Sequence, residues 1–335
     1  MLYITTRDNK DAHTAYKALT QNNGPDGGQY IPFRLPAMTS EEIVALKEKN
    51  FGQTVADILN LFFSTRLTGW DVDCCIGRTP VKLASMNHKI LIAELWHNPD
   101  GKYQYLTASL YKAVCGNDNS ANTPTDWFRT AVRIAILFGL YGEMLRAQNI
   151  SVGECFDVSV PTGGFSVPMA VWYSRKMGLP INTIICTHEE NSTVWDLIHR
   201  GTFNPTAAGS DLTSGVEQLI YATLGLEAVQ GYLNKIHAGR IYSISEEPLK
   251  SLSNGIFCSV AGNTRADTVI NSVFRTNRYL IDPDTALLYG GLQDFRAKSG
   301  DSRITVLLSE RTPMDHMQQI SDATGIPASS LFENM

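Results

Sequence analysis

The stretch that most constrains the fold is residues 157–179, DVSVPTGGFSVPMAVWYSRKMGL. It opens as a short apolar strand ending near Val160, turns through Gly163 and Gly164, and continues as a helix. Pro168 suits the first helical turn, where its missing N–H has no intrahelical partner to lose. The same proline disfavours α geometry at the residue before it, so the helix cap is expected at Ser166 or Val167. A strand leading through a glycine turn into a helix N-terminus gathers free N–H groups and the positive dipole end at one point, which makes an anion site. Thr162, Gly163, Gly164, Phe165 and Ser166 are therefore the candidate ligand- and anion-binding residues. Further apolar, β-branched runs at 181–186, 256–260 and 304–308 alternate with amphipathic segments. That alternation predicts an α/β fold, a mainly parallel sheet with helices on both faces. Ligands of such sheets sit at the carboxyl ends of the strands, where the Gly163–Gly164 turn falls.

Composition narrows the function classes. A chain of 335 residues suggests two domains or one large one. Its net charge of -5 supplies no basic field, so nucleic acid is not an expected partner. The start, MLYITTRDNK, has no apolar core of the kind a secretory signal needs. The most apolar stretch, 127–145, is interrupted by Arg129, Arg133 and Glu143 and reads as a buried core helix, with no membrane span expected. None of the six cysteines stands in a C-x-x-C spacing, and the seven histidines form no metal-binding pair. Cys155, Cys186 and Cys258 lie in or beside strand-like runs and read as small hydrophobes. The vicinal Cys74-Cys75 pair keeps a redox reading open. A reducing, cytoplasmic setting is expected, with no metal.

Several motifs then line up in order. Tyr3-Ile4-Thr5-Thr6-Arg7 precedes Pro25-Asp26-Gly27-Gly28-Gln29-Tyr30-Ile31-Pro32. Glu94-Leu95-Trp96-His97-Asn98-Pro99 comes next, then Pro161-Thr162-Gly163-Gly164-Phe165. Thr213 to Tyr221 reads TSGVEQLIY, and Tyr279-Leu280-Ile281-Asp282-Pro283-Asp284-Thr285-Ala286 closes the series. This succession resembles threonine synthase, a lyase of the fold-type II pyridoxal-phosphate (PLP) family. The resemblance implies an N-terminal α+β domain over 1–90 and a large α/β domain over 91–335. It also implies that the 161–167 loop corresponds to the one that holds the cofactor phosphate. The family pattern is broken at informative places. Counted without a gap, the imine-forming lysine falls on Gln104, and a carboxamide forms no imine. Lys102, two residues earlier, is the alternative if two residues are deleted. The family's small cofactor-covering domain has no room in the polar loop 116–122, so it reads as deleted.

These observations lead to an expectation of a diverged member that uses no PLP and keeps a remodelled cleft for a small anionic, amino-acid-like ligand. His97 and Asp284, with Glu94 and Asp282, are the candidates for acid–base work. Their plainer readings are a satisfied buried imidazole for His97 and turn or cap residues for Asp282 and Asp284. Arg129, where the family has an arginine, is either an anion ligand or a surface ion-pair residue. The alternative is a non-catalytic protein acting through a protein partner or as a homo-oligomer. A working PLP lyase using Lys102 is the third reading.

Overall fold

A computed structural model describes residues 1–76, 81–98, 101–116, 123–188, 192–206 and 214–331. Pro99, Thr213 and residues 117–122 of the polar loop lie outside the described residues.

The first region pairs β1 (Leu2–Thr5) with β2 (His13–Thr14) and β3 (Tyr30–Pro32) in a small antiparallel sheet. Because His13 and Thr14 are used in that pairing, α1 (Ala15–Thr20) starts later than the residue 11 its sequence suggests. Helix α2 (Ser40–Ala45) is capped by Thr39 and not by Ser40. The Thr39 hydroxyl accepts the Glu42 N–H and the Glu42 carboxylate accepts the Thr39 N–H, a reciprocal box that satisfies two otherwise orphaned donors. Asn50 and Gln53 do the same for α3 (Phe51–Phe63), which α4 (Gly69–Ile76) follows.

Strands β4 (Lys82–Asn87) and β5 (Ile90–Glu94) form a hairpin, and residue 90, the expected division point, opens β5. Helices α5 (Tyr103–Cys115) and α6 (Asp126–Arg146) come next, joined by residues 116–125, a connection too short for a further domain. The chain then alternates β6 (Phe156–Pro161), α7 (Ser166–Lys176), β7 (Ile181–His188) and α8 (Thr193–Arg200). Two-residue strands β8 (Thr202–Phe203) and β9 (Tyr242–Ser243) pair on either side of α9 (Ser214–Leu224) and α10 (Leu226–His237). Helix α11 (Glu246–Ser253), β10 (Ile256–Val260), α12 (Asn263–Asn277), α13 (Pro283–Ser299), β11 (Thr305–Ser309) and α14 (Met317–Thr324) succeed them in that order.

The central six-stranded sheet runs β10-β7-β6-β11-β5-β4, parallel throughout except for the antiparallel edge strand β4. The two-residue period of a strand divides its side chains between two cores. On β7, Ile184 and Cys186 face one core and Ile185 the other; on β11, Val306 and Leu308 oppose Leu307. The first core packs against α3, α6, α7 and α9, the second against α12, α13 and α14. Helix α6 lies inside the first core with Trp127, Phe128, Ile134, Phe138 and Tyr141 at 2% exposure or less, which accounts for its apolar sequence. Among the described residues no helix is long and apolar enough to cross a membrane.

Candidate functional site

Five parallel strands end at one edge of the sheet, and the segments leaving those ends carry the residues nominated from sequence. After β6 the chain makes the glycine turn. The Thr162 hydroxyl donates to the Thr187 carbonyl at 2.7 Å, tying the turn to the neighbouring strand β7. The Phe165 N–H donates to the Thr162 carbonyl at 2.7 Å and closes the turn. Gly163 takes φ +43°, and Phe165 itself sits in the left-handed region at φ +66°. That is a conformation non-glycine residues adopt at a cost of about 1–3 kcal/mol, and one that concentrates at ligand clamps. Phe165, not Ser166 or Val167, is thus the residue that caps α7, and no side chain caps the first turn of that helix. Among the described residues, a Cβ placed on Gly163 or Gly164 would meet nothing within 4 Å.

The opposite side of the turn is closely held. Gly215 N–H donates to the Gly164 carbonyl at 3.1 Å. A Cβ on Gly215 would lie 2.3 Å from the Phe165 carbonyl carbon, so only glycine lets α9 approach this closely. Further along α9, Glu217 accepts from Arg7 Nε and Nη2 at 3.0 and 2.9 Å and from the Thr6 hydroxyl. Gln218 Nε2 donates to Gln29 Oε1 at 2.7 Å. The TTR and PDGGQ motifs of the first region therefore grip the same helix that backs the glycine turn.

Beyond β5, Glu94 is a buried hub, only 2% exposed. It faces His97 Nε2, accepts the Tyr279 hydroxyl, and lies 3.9 Å from Lys82 Nζ on the antiparallel partner strand. Burial and then the Glu94 charge push the Tyr279 phenol far above its ordinary range, so it stays a proton donor. His97 stacks on Trp96 with ring centroids 4.1 Å apart. The cavity that Glu94 and His97 share with Leu95 and Leu106 has a volume of about 10 Å³, room for no more than one water. The Glu94 carboxylate thus orients the His97 ring, whose side chain is 22% exposed.

Trp96 links this hub to α13: its Nε1 donates to Ser309 Oγ at 3.3 Å, and Ser309 donates to Asp282 Oδ2 at 3.3 Å. Asp282 caps α13 by accepting the N–H groups of Asp284 and Thr285 at 3.0 and 3.2 Å. Burial lifts its carboxyl above the usual range, against the hydrogen bonds from Thr285 and Ser309. Asp284, by contrast, lies 3.3 Å from Arg311 Nε in a pair whose two side chains are both more than half exposed. Of the two aspartates, the buried Asp282 joins the network and Asp284 does not.

Lys102 and Gln104 stand at the start of α5 on this same edge, where Lys102 forms an isolated backbone bridge with Arg311 and the Tyr103 N–H donates to the Glu310 carbonyl at 3.3 Å. Both Lys102 and Gln104 are exposed. Arg129 on the first turn of α6 pairs with Asp126 at 3.0 Å, an exposed i,i+3 contact. Arg133, one turn further, is the buried arginine: it donates to Glu310 at 3.2 and 3.1 Å and covers the Tyr103 ring at 4.6 Å. Sequence reasoning missed Tyr279, Lys82, Ser309 and Arg133. The one available signal was the spacing of Arg129 and Arg133, which puts both on one face of a helix.

Comparison with known proteins agrees with this fold. Residues 2–79 match the model described as the threonine synthase N terminus. The chain is similar to the threonine synthases over this first region. Human threonine synthase-like 1 is 24% identical over 192 residues, 53% of this chain and 25% of that protein. The mouse protein of the same name is 31% identical over 105 residues, 31% of this chain and 14% of its own length. The chain thus spans about a quarter of the length of the curated relatives it matches. The threonine synthase of Brucella melitensis, solved with PLP bound, superposes with a TM-score of 0.81 at 18% identity, covering 97% of this chain and 92% of that one. The yeast threonine synthase gives 0.80 at 16% identity, covering 97% and 90%. At such identities the solved structures establish the shared α/β fold.

Proposed function

We propose that this threonine synthase-like chain has lost PLP-dependent catalysis and uses the glycine turn at the carboxyl edge of its sheet to hold a small anionic, amino-acid-like ligand. The observation that carries the reading is the pairing of an uncapped turn at 162–166 with a carboxamide, Gln104, at the imine position. The residues present do not fit PLP. An imine lysine works from a desolvated position, where its ammonium loses a proton readily. Lys102 is exposed, and Lys82, the lysine nearest the Glu94 hub, has a side chain 60% exposed. In this reading the first-turn N–H groups of α7 receive the anion. His97, held by Glu94, is the group able to move a proton, and Arg129 and Asp284 serve the surface.

The test is a titration followed by backbone amide chemical shifts, using inorganic phosphate and then O-phosphoserine. Saturable shifts confined to Gly163, Gly164 and Ser166, larger for the amino acid, are expected. Shifts scattered over the surface, or none at these amides, would overturn the ligand assignment.

A second reading, action through a protein partner or self-association, is favoured by one feature. Phe33 N–H donates to the Leu2 carbonyl at 3.0 Å, and these adjacent residues are 63% and 54% exposed. A concentration-independent monomer mass by light scattering would count against self-association.

A further inference from the structure

Cys186 and Cys258 stand side by side. They are Cα partners on the parallel strands β7 and β10, and both side chains enter the same core. Neighbouring strands lie about 4.8 Å apart, within the roughly 4.4–6.8 Å Cα separation that a disulfide spans. The two residues are 0% and 4% exposed. His188 comes two positions after Cys186 and so shares its face of the sheet. Its Nδ1 lies 2.8 Å from the hydroxyl of Ser192, the cap of α8, while its buried Nε2 has no hydrogen-bond partner among the described residues.

The surroundings split the two thiols. Burial, and then the neighbouring Cys258, push Cys186 well up. The hydrogen bond from Cys186 first, and His188 after it, hold Cys258 down at about 6 against burial, which acts the other way. These opposed directions make Cys258 the more acidic of the two thiols. A thiolate beside an imidazole and a second thiol is the arrangement that makes cysteine reactive.

We propose that Cys258, Cys186 and His188 form a peroxide-reactive dithiol site, with Cys258 attacking, Cys186 resolving and His188 as a positioning residue. In the first step the Cys258 sulfur bonds to one oxygen of hydrogen peroxide as the O–O bond breaks. The departing hydroxide takes a proton to become water, and Cys258 is left as a sulfenic acid. In the second step the Cys186 sulfur attacks Cys258, an S–S bond forms, the S–O bond breaks, and hydroxide leaves with the Cys186 proton as a second water. Two thiols lose two electrons and one peroxide gains them. At 0% and 4% exposure the pair can meet only a reagent as small as hydrogen peroxide. The proposal does not rest on the anion-binding turn, although Thr187, between Cys186 and His188, accepts the Thr162 hydroxyl.

The test uses the full reduced chain treated with hydrogen peroxide between pH 5 and 8, quenched with N-ethylmaleimide in denaturant, and mapped by peptide mass spectrometry. A cross-linked Cys186–Cys258 peptide is expected, its formation rate half-maximal near pH 6. The exposed Cys74 and Cys155 serve as internal controls. Cys186→Ser should stop the reaction at a sulfenic acid on Cys258, trapped by dimedone on denaturation. His188→Asn should shift the pH midpoint upward. Oxidation of Cys74 and Cys155 with Cys186 and Cys258 left free overturns the proposal, and that result needs no variant to fold. An unchanged midpoint in His188→Asn removes His188 from it.

Discussion

Arg7 and Glu217 are separated by 210 positions and join the first region to the helix behind the glycine turn. Their two halves are unequal: the Glu217 side chain is 8% exposed and that of Arg7 is 29%. Arg7→Ala removes two charge-assisted bonds, of 3.0 and 2.9 Å, and strands a carboxylate almost out of water. Removing one partner of a buried pair in this way costs about 3–5 kcal/mol. Glu217→Gln keeps the volume and an acceptor for the Thr6 hydroxyl, and it leaves the arginine free to recover hydration. The lost charge assistance then costs about 1–2 kcal/mol. Arg7→Ala should therefore be the worse variant by roughly 1–4 kcal/mol, although it deletes the more exposed residue. Combining it with Glu217→Gln should restore part of the loss, because the stranded charge is gone. Urea titrations followed by far-ultraviolet circular dichroism, with equal slopes for all variants, measure this directly. If Glu217→Gln proves as damaging as Arg7→Ala, stranded charge is not what governs this contact and the reasoning fails.

Other consequences come from single contacts. Gly215→Ala forces a methyl to 2.3 Å from the Phe165 backbone, so it should cost about 1–3 kcal/mol and move the amide resonances of the 162–166 turn. Intact turn resonances in the variant would refute the close approach. Asp282 is raised above its unfolded value near 3.8, so the native state favours its protonated form. Wild-type stability should fall as pH rises from about 4 through the raised value and then level off. Asp282→Asn, which keeps an acceptor for the cap, should lack that fall in thermal melts across the same range; parallel wild-type and variant profiles would contradict it. Tyr279→Phe leaves the buried Glu94 short of a donor and should cost about 1–3 kcal/mol in urea titrations, whereas a neutral result would mean that His97 and Lys82 satisfy Glu94 alone.

The backbone was legible where a local rule and the tertiary context agree. Residues 256–260 form the strand their apolar run indicates. The cap expected at Ser166 or Val167 moved because neighbours decided it. Phe165 was held in the left-handed region by the Thr162 carbonyl and the close-packed Gly215. The site was legible as a set of strand ends, less so as a set of side chains. Residues 185 to 213 positions apart in the chain, such as Tyr279 and Glu94 or Trp96 and Ser309, meet only because β11 inserts between β6 and β5. No local spacing carries that information. Nor does spacing distinguish Asp282 from Asp284, whose difference is burial alone.

The central proposal is that this chain no longer carries PLP chemistry. The most direct measurement mixes the purified chain with equimolar PLP, records the visible spectrum, reduces with borohydride and maps adducts by mass spectrometry. The account predicts the spectrum of free cofactor and only substoichiometric labelling spread over exposed lysines. A distinct protein-bound band with one stoichiometric adduct on Lys102 or Lys82 would contradict it and return the chain to the lyases.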